Sequence, residues 1–258
     1  MRQRIITAII ALLIFVPILV YGNIPFVVLT YAMATIALYE LLRMRQISFQ
    51  SYPAITALIF LWILLIPSSV SLPMEKTEFV MLFVIIILFY TVLSKNKFTF
   101  DQSGFILITI IYISMGFFFF METRFEGLSF VLYLLFIVWS TDTGAYFVGR
   151  SLGKNKLWPE ISPNKTIEGA IGGILFACVV GHFFYLFHPL PIPKLQLIIM
   201  TVFLSISGQI GDLVASAYKR FYDVKDSGRL LPGHGGILDR MDSLLFVFPV
   251  FHLLMILF

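Results

Sequence analysis

Long apolar runs alternate with short polar segments along the whole chain. A helix needs about 20 mainly apolar residues, within a range of about 17–25, to cross a bilayer. Because lipid offers no partner to backbone N–H and C=O groups, such runs must be helical, and they are too continuously apolar for barrel strands. The pattern predicts about nine membrane-spanning helices over these ranges: Ile5–Tyr21, Pro25–Leu42, Ala54–Ser68, Phe79–Ser94, Gly104–Met121, Leu128–Tyr146, Gly169–Phe187, Leu195–Tyr218 and Asp239–Phe258.

Basic residues fall mainly on one side of the predicted helices. With the N-terminus inside, 15 of the 18 Lys and Arg residues lie in cytoplasmic segments, and only Lys76, Arg124 and Lys194 lie in outer loops. Membrane proteins carry this excess of Lys and Arg in their cytoplasmic loops. The distribution therefore predicts a cytoplasmic N-terminus, and it supports the number of spans because omitting one helix would invert the later loops.

The composition favours a membrane protein over a soluble one. Hydrophobic residues make up 59% of the 258 residues and charged residues 12%, whereas soluble domains carry roughly 25% charged residues. We expect one all-α, polytopic domain over residues 1–258, with hydrophobic spans in 1–127 and a catalytic half in 128–258. We place it as a multi-pass protein in the cell (plasma or inner) membrane. The single cysteine, Cys178, excludes an intrachain disulfide.

A polar stretch, Ser140–Gly144, interrupts the sixth predicted span. It places Asp142 about two turns from the cytoplasmic end, where a carboxylate is costly unless it is paired or hydrated. Two interpretations stay open: a hydrogen bond that joins helices, or a residue that lines a polar cavity.

A polar loop over Gly149–Glu168 precedes the seventh predicted span. Either Asn164 or Thr166 could cap the helix that follows. The free N–H groups and the positive dipole end of that helix would face the cytosol, and Lys165 lies beside them. This arrangement suits an anion such as phosphate. The alternative is that the lysines of this loop only contact lipid headgroups.

The segment from Asp212 to Ser243 is rich in both carboxylates and cations. Asp239 and Asp242 are three residues apart and would project from one face of a helix, and Asp212 is expected at a similar depth. Three carboxylates at one level repel one another unless a cation lies among them, and oxygen ligands of this kind select Mg²⁺ or a similar ion. The alternative is a set of interhelical salt bridges that lock the bundle.

A glycine-rich turn, Gly233-His234-Gly235-Gly236, comes just before the last predicted helix. Glycines let backbone donors approach a phosphate closely. His234 could contact that phosphate, or it could only maintain the shape of the loop.

Three motifs resemble one known family. Ser216–Arg220, Lys225-Asp226 and Leu231–Asp242 are similar, in order and spacing, to the C-terminal fingerprint of the phosphatidate cytidylyltransferases, also called CDP-diacylglycerol synthases. The stretches Ser140–Gly144 and Ser162–Gly169 are similar to that family too, so the resemblance covers roughly residues 138–243. Tyr218 and Asn164 depart mildly from the family pattern and bear on substrate contacts.

The resemblance implies a Mg²⁺-dependent reaction of CTP with phosphatidate that gives CDP-diacylglycerol and pyrophosphate. Asp212 and Asp239 would hold Mg²⁺ at the CTP phosphates, with Asp242 as a further ligand. Asp142 would line the cavity. Catalysis is assigned to Asp212, Asp239, Lys219 and Arg240, and substrate binding to Lys165, Arg220, Lys225, His234, Gly235, Gly236 and Asp142.

The expected partners are CTP, phosphatidate and membrane lipids, and no nucleic acid. A second cation and a homodimer are both left open. The alternative functions are a CTP-dependent lipid kinase of the polyprenol type, or a transporter of a small solute. A transporter is disfavoured because the chain has no internal repeat and its charges gather at one face.

Overall fold

The computed structural model describes residues 2–258, with side chains from Ile6 onward. The regular secondary structure of this part of the chain is helical apart from one short hairpin. In chain order the elements are α1 (Arg2–Tyr21), α2 (Asn23–Met44), α3 (Tyr52–Leu64), α4 (Lys76–Leu93), α5 (Phe100–Glu126), α6 (Leu128–Leu152), β1 (Lys156–Trp158), β2 (Ser162–Thr166), α7 (Ile167–Phe187), α8 (Lys194–Phe221), α9 (Leu238–Met241) and α10 (Leu244–Leu257).

The apolar helices agree with the predicted spans. In the described part of the chain, six helices are long and apolar enough to cross a membrane, namely α2, α4, α5, α6, α7 and α8. The apolar part of α1, together with α3 and α10, gives three shorter apolar helices. At about 1.5 Å per residue, the 14 residues of α10 extend about 21 Å, less than the roughly 30 Å of a bilayer core. The predicted all-α, polytopic fold is confirmed.

The predicted last helix, Asp239–Phe258, is wrong in its start. The structure has a short α9 and a separate α10 that begins at Leu244. Between them, the carboxylate of Asp242 accepts the backbone N–H of Ser243 at 2.8 Å. Aspartate side chains compete in this way with helical hydrogen bonds, so the helix is interrupted at this point.

The chain forms two compact units, each built from two segments. The first contains Met1–Glu122 and Asp226–Leu238, and the second contains Thr123–Lys225 and Asp239–Phe258. The single domain expected over residues 1–258 stays a prediction.

In the first unit, aromatic side chains of α1, α2 and α5 pack together in the core. Phe120 of α5 is fully buried and its ring contacts Phe15 and Phe26. The Nζ of Lys76 donates to the carbonyls of Leu64 and Ile66, both at 2.8 Å, which satisfies backbone acceptors at the end of α3.

In the second unit, α6 packs against α7 and α8, and α10 packs against α8. Tyr133 of α6 is buried, and its hydroxyl pairs with that of Thr201 on α8 at 2.7 Å. The polar segments predicted to carry chemistry, apart from residues 226–238, belong to this unit.

Candidate active site

The polar stretch of α6 has two roles in the second unit. The hydroxyls of Ser140 and Thr141 are buried and donate to the carbonyl of Ile137. Thr141 also pairs with Ser205 of α8 at 2.8 Å. Asp142, the next residue, is exposed and lines a cavity. The stretch therefore supplies both an interhelical hydrogen bond and a carboxylate in the cavity wall.

Glycines bring α6 and α7 into close contact. A Cβ at Gly144 would lie 2.5 Å from the Cβ of Phe176, and a Cβ at Gly172 would lie 2.5 Å from the Cβ of Val148. These separations are too short for real carbon atoms, so only glycine fits at either position. Small residues at such interfaces let the helix backbones approach closely in membranes. The contact leaves Asp142 and the first turn of α7 in the wall of the same cavity.

The predicted polar loop contains the β1–β2 hairpin, and Glu168 closes its base. The Glu168 carboxylate accepts the backbone N–H of Lys154 at 3.1 Å and of Asn155 at 3.2 Å, and the side-chain amide of Asn155 at 2.7 Å. Of the two predicted caps, Thr166 caps α7, because its hydroxyl oxygen accepts the N–H of Gly169 at 3.1 Å. The hairpin is thus fixed to the start of α7.

A cavity of about 550 Å³ lies between α6, the hairpin, α7 and α8. Lys165 and Asp212 meet in its wall, with Nζ of the lysine 2.6 Å from Oδ2 of the aspartate. These side chains are 28% and 33% exposed, so a solute in the cavity can reach them. The other polar side chains of the lining are Asp142, Tyr146, Arg150, Asn164, Thr166 and Gln209.

Three lining residues were not predicted from the sequence. The amide of Gln209 donates to the carbonyl of Ala170 at 3.3 Å, which orients it at the cavity. Arg150 donates to the hydroxyl of Tyr146 at 3.0 Å. A signal existed for each: Gln209 is a polar residue inside an apolar span, and Tyr146 and Arg150 are four apart on one helix face.

A second ion pair joins the end of α8 to α9. The Nζ of Lys219 lies 2.8 Å from Oδ1 of Asp239, and the two side chains are only 17% and 7% exposed. Both this pair and Lys165–Asp212 link a carboxylate predicted to bind metal to a lysine predicted to act on substrate. They also have the form of the interhelical salt bridges considered as the structural alternative.

Three carboxylates of the second unit interact electrostatically. The charge of Asp212 acts on both Asp142 and Asp242, and Asp142 acts on Asp242 as well, while Lys165 offsets part of this repulsion at Asp142 and Lys219 part of it at Asp242. Among the side chains from Ile6 onward, no group of three or more His, Cys, Asp or Glu residues converges as a ready-made metal site. The metal assignment to Asp212, Asp239 and Asp242 stays a prediction.

The remaining predicted cations of this unit lie at its surface. Arg220 is exposed, and its Nε donates to the carbonyl of Ile161 in the hairpin at 3.3 Å. Lys225 and Arg240 are also exposed. Their substrate-binding and catalytic assignments stay predictions.

The predicted glycine-rich turn lies in the first unit. Leu231 and Gly235 form an isolated bridge, and the N–H of His234 donates to the carbonyl of Leu231 at 2.8 Å. Gly233 and Gly235 have φ angles of 79° and 84°, which favour glycine. Gly236 is buried and follows this turn directly.

Sequence reasoning missed Glu40 of α2, which contacts this segment within the first unit. Its side chain is buried, with 2% exposure, and it accepts hydrogen bonds from Ser227 and from the backbone N–H groups of Ile237 and Leu238. A signal was present, because Glu40 is an acidic residue inside an apolar span, and such residues are functional candidates.

Comparison with known proteins relates the whole chain to one family. The sequence model of the cytidylyltransferase family matches residues 2–258. A phosphatidate cytidylyltransferase of Bacillus subtilis is 52% identical, and the match covers 100% of this chain and 98% of that protein. Phosphatidate cytidylyltransferases of Staphylococcus epidermidis and Staphylococcus saprophyticus are 49% and 46% identical, with 99% of each chain covered.

Proposed function

Because the chain belongs to the cytidylyltransferase family over residues 2–258, we propose that it is a multi-pass membrane enzyme that transfers a cytidylyl group from CTP to phosphatidate. The products are CDP-diacylglycerol and pyrophosphate, so the enzyme acts in phospholipid biosynthesis. Relatives named phosphatidate cytidylyltransferase match this chain over nearly their full length, and this supports both substrates.

The observation that carries this function is the cavity with Lys165 and Asp212 in its wall. A nucleoside triphosphate needs cationic side chains near its phosphates and a site for the metal ion that accompanies it. We assign the phosphates to Lys165 and the accompanying cation to Asp212, with Asn164 and Gln209 as neutral polar groups of the same lining. A volume of about 550 Å³ falls within the range of roughly 300–1,000 Å³ that small-molecule sites occupy.

The reaction needs positioned charge more than a strong base. An oxygen of the phosphatidate phosphate attacks the α-phosphorus of CTP, and the bond from that phosphorus to the pyrophosphate oxygen breaks. The attacking phosphate is already mostly anionic at neutral pH, so no strong general base is required. Catalysis then comes from holding the two phosphates together and stabilising the charge that develops between them. We assign this contribution to Lys165 and Lys219.

The carboxylates of the site fit Mg²⁺, which is typically bound by one or two protein carboxylates and by substrate phosphates. Asp212 and Asp239 would hold the ion, and Asp242 would be a further ligand. The repulsion among Asp142, Asp212 and Asp242 supports a cation at this place, because it favours positive charge near them. When bound, the ion would supply neutralisation of the CTP phosphates.

The active site is proposed to face the cytoplasm. CTP is a cytosolic nucleotide, and Lys165, Lys219 and Lys225 belong to the chain segments that hold the excess of basic residues expected inside.

Purified protein incubated with phosphatidate, Mg²⁺ and CTP labelled at the α-phosphorus tests the reaction. We expect label in the lipid product and unlabelled pyrophosphate in solution, and we expect a chelator to abolish the transfer. A parallel reaction uses CTP labelled at the γ-phosphorus, from which the lipid should gain no label.

The two labels separate the competing functions. Lipid labelled from the γ-phosphorus alone would indicate a CTP-dependent lipid kinase and would overturn cytidylyl transfer. If neither label reaches the lipid while the protein binds a small solute, a transporter would be favoured instead.

A further inference from the structure

Glu40 lies in α2, a helix long and apolar enough to cross a membrane, and its side chain is buried. A carboxylate in such a place is costly unless donors surround it. Donors to this carboxylate come from another segment of the chain.

The compensation comes from the segment Asp226–Leu238 of the same unit. One carboxylate oxygen of Glu40 accepts the N–H of Ile237, and the other accepts the N–H of Leu238 and the hydroxyl of Ser227, each at 3.0 Å. Hydrogen bonds to a charged acceptor are stronger than neutral ones. The two ends of the segment are therefore held on one side chain.

Two glycines make room for this carboxylate. At both Gly228 and Gly236, the nearest atom to an added Cβ would be a carboxylate oxygen of Glu40, at a distance that no real contact allows. At Gly236 the three nearest atoms all belong to Glu40. Gly236 has no unusual φ angle, in contrast to Gly233 and Gly235. The requirement for glycine at this position therefore comes from Glu40 itself.

We propose that Glu40 is a positioning residue for the transfer reaction, because its carboxylate fixes the segment Asp226–Leu238. Leu238, the last residue of this segment, is joined by a peptide bond to Asp239, so fixing Leu238 restrains the backbone of Asp239. Glu40 acts through this segment and is assigned no contact with substrate. The inference rests on the proposed function for its activity readout, but not for its structural readout.

The Glu40→Gln variant tests the positioning role. The glutamine amide presents an NH₂ donor to one of the two backbone N–H groups, so one hydrogen bond becomes a repulsive contact. We expect kcat/KM for CTP to fall about 100-fold, as for a displacement of about 1 Å in an active site, and the KM for CTP to rise. A smaller folded fraction would lower the maximal rate and leave this KM unchanged. Glu78→Gln, the same change at an exposed site on α4, should leave both parameters at wild-type values.

Amide hydrogen exchange provides the readout that does not depend on activity. In Glu40→Gln, the amides of Ile237 and Leu238 should exchange at least about tenfold faster, while those in the middle of α5 keep their protection. If Glu40→Gln does not fold, Ser227→Ala replaces it in this experiment, because it removes only one donor to Glu40. We then expect a smaller increase in the exchange rates of the same two amides.

A double-mutant cycle tests the packing of glycine on Glu40. Gly236→Ala alone should lower activity strongly because the new methyl group collides with the carboxylate. In a Glu40→Ala background the same change should cost little, because the colliding atoms are gone. Equal costs of Gly236→Ala in both backgrounds would overturn this packing claim.

Wild-type kinetics together with wild-type amide exchange in Glu40→Gln would overturn the positioning role. If the wild-type protein transfers no cytidylyl group, the proposed function fails, and the exchange rates still decide whether Glu40 holds the segment.

Discussion

At the scale of single residues, the candidate active site contains two lysine–aspartate ion pairs. Lys165–Asp212 is about one-third exposed, whereas Lys219–Asp239 is nearly buried. A buried pair is costly to break, because the remaining charge stays desolvated. The two pairs should therefore respond differently to substitution, and the buried pair can separate a structural role from a catalytic one.

Asp239→Asn is predicted to lower both stability and cytidylyl transfer. Loss of the carboxylate leaves the Lys219 ammonium buried without its partner, at a cost of about 3–5 kcal/mol. The double variant Lys219→Met with Asp239→Asn removes both charges and should regain most of the melting temperature, yet remain inactive. Thermal unfolding in detergent and the α-label assay measure the two quantities.

Asp101→Asn, at an exposed position in the first turn of α5, is the matched control and should change neither quantity. If the double variant regained wild-type transfer along with its stability, the pair would be a structural salt bridge alone, and the catalytic assignment of Lys219 and Asp239 would be wrong.

The sequence predicted residues with chemistry near one another along the chain, but not partners far apart in it. Asp239 and Asp242 stood out because carboxylates, glycines and cations occur together. The contact of Glu40 with Ser227 spans 187 positions, so no local pattern connects them. The sequence also did not indicate which lysine pairs with each aspartate, because several cations lie nearby in the chain.

At the scale of elements, the contact between α6 and α7 determines how the cavity is walled. It depends on glycines at which an added side chain would collide with the facing helix. Helices in lipid gain little from burying apolar surface against each other, so such close packing is a main source of their association.

Gly172→Ala is predicted to separate α6 from α7. Its Cβ would lie 2.5–2.6 Å from side-chain carbons of Val148, including the Cβ that is fixed to the backbone. We expect a loss of about 1–3 kcal/mol of stability from this overpacking and a clear fall in transfer activity. Melting temperature and initial rate in the same detergent measure both.

Gly104→Ala in α5 is the control for helix propensity, because an added Cβ there meets nothing within 4 Å. It should be neutral or slightly stabilising, since alanine is the better helix former. If Gly172→Ala were as harmless as Gly104→Ala, the close packing of α6 on α7 would not limit stability.

Hydrophobicity predicted the existence of the helices, while their ends and the hairpin depend on side-chain bonds. The carboxylate of Asp242 interrupts the last predicted helix, and Glu168 organises the loop that precedes α7. In each case one carboxylate accepts backbone N–H groups. The mean hydropathy of a sequence window does not detect such a hydrogen bond.

At the scale of the whole molecule, the distribution of basic residues bears on the orientation of the protein in the membrane. The distribution of basic residues predicts that Lys154 lies inside and Lys194 outside. Both lysines are exposed in the structure. Cys178 is the one cysteine of the chain, so a cysteine-free background requires one substitution.

Labelling of introduced cysteines tests this orientation. In a Cys178→Ala background, Lys194→Cys should react with a membrane-impermeant maleimide on intact cells. Lys154→Cys should react only after the membrane is opened, because its side chain would face the cytosol. The reverse pattern would contradict the proposed orientation and with it a cytosolic supply of CTP to the site.

Glu168 makes the hairpin between α6 and α7 a closed ring, since its carboxylate joins β2 and α7 to the residues just before β1. The exposed tip at Pro159 and Glu160 lies at the far end of that ring from the Glu168 bonds. A cut at the tip would leave both new ends tied through the base. Exposed tips of this kind tolerate insertions and are preferred sites of proteolytic cleavage, so a protease site introduced here should allow the chain to be cut without releasing the hairpin.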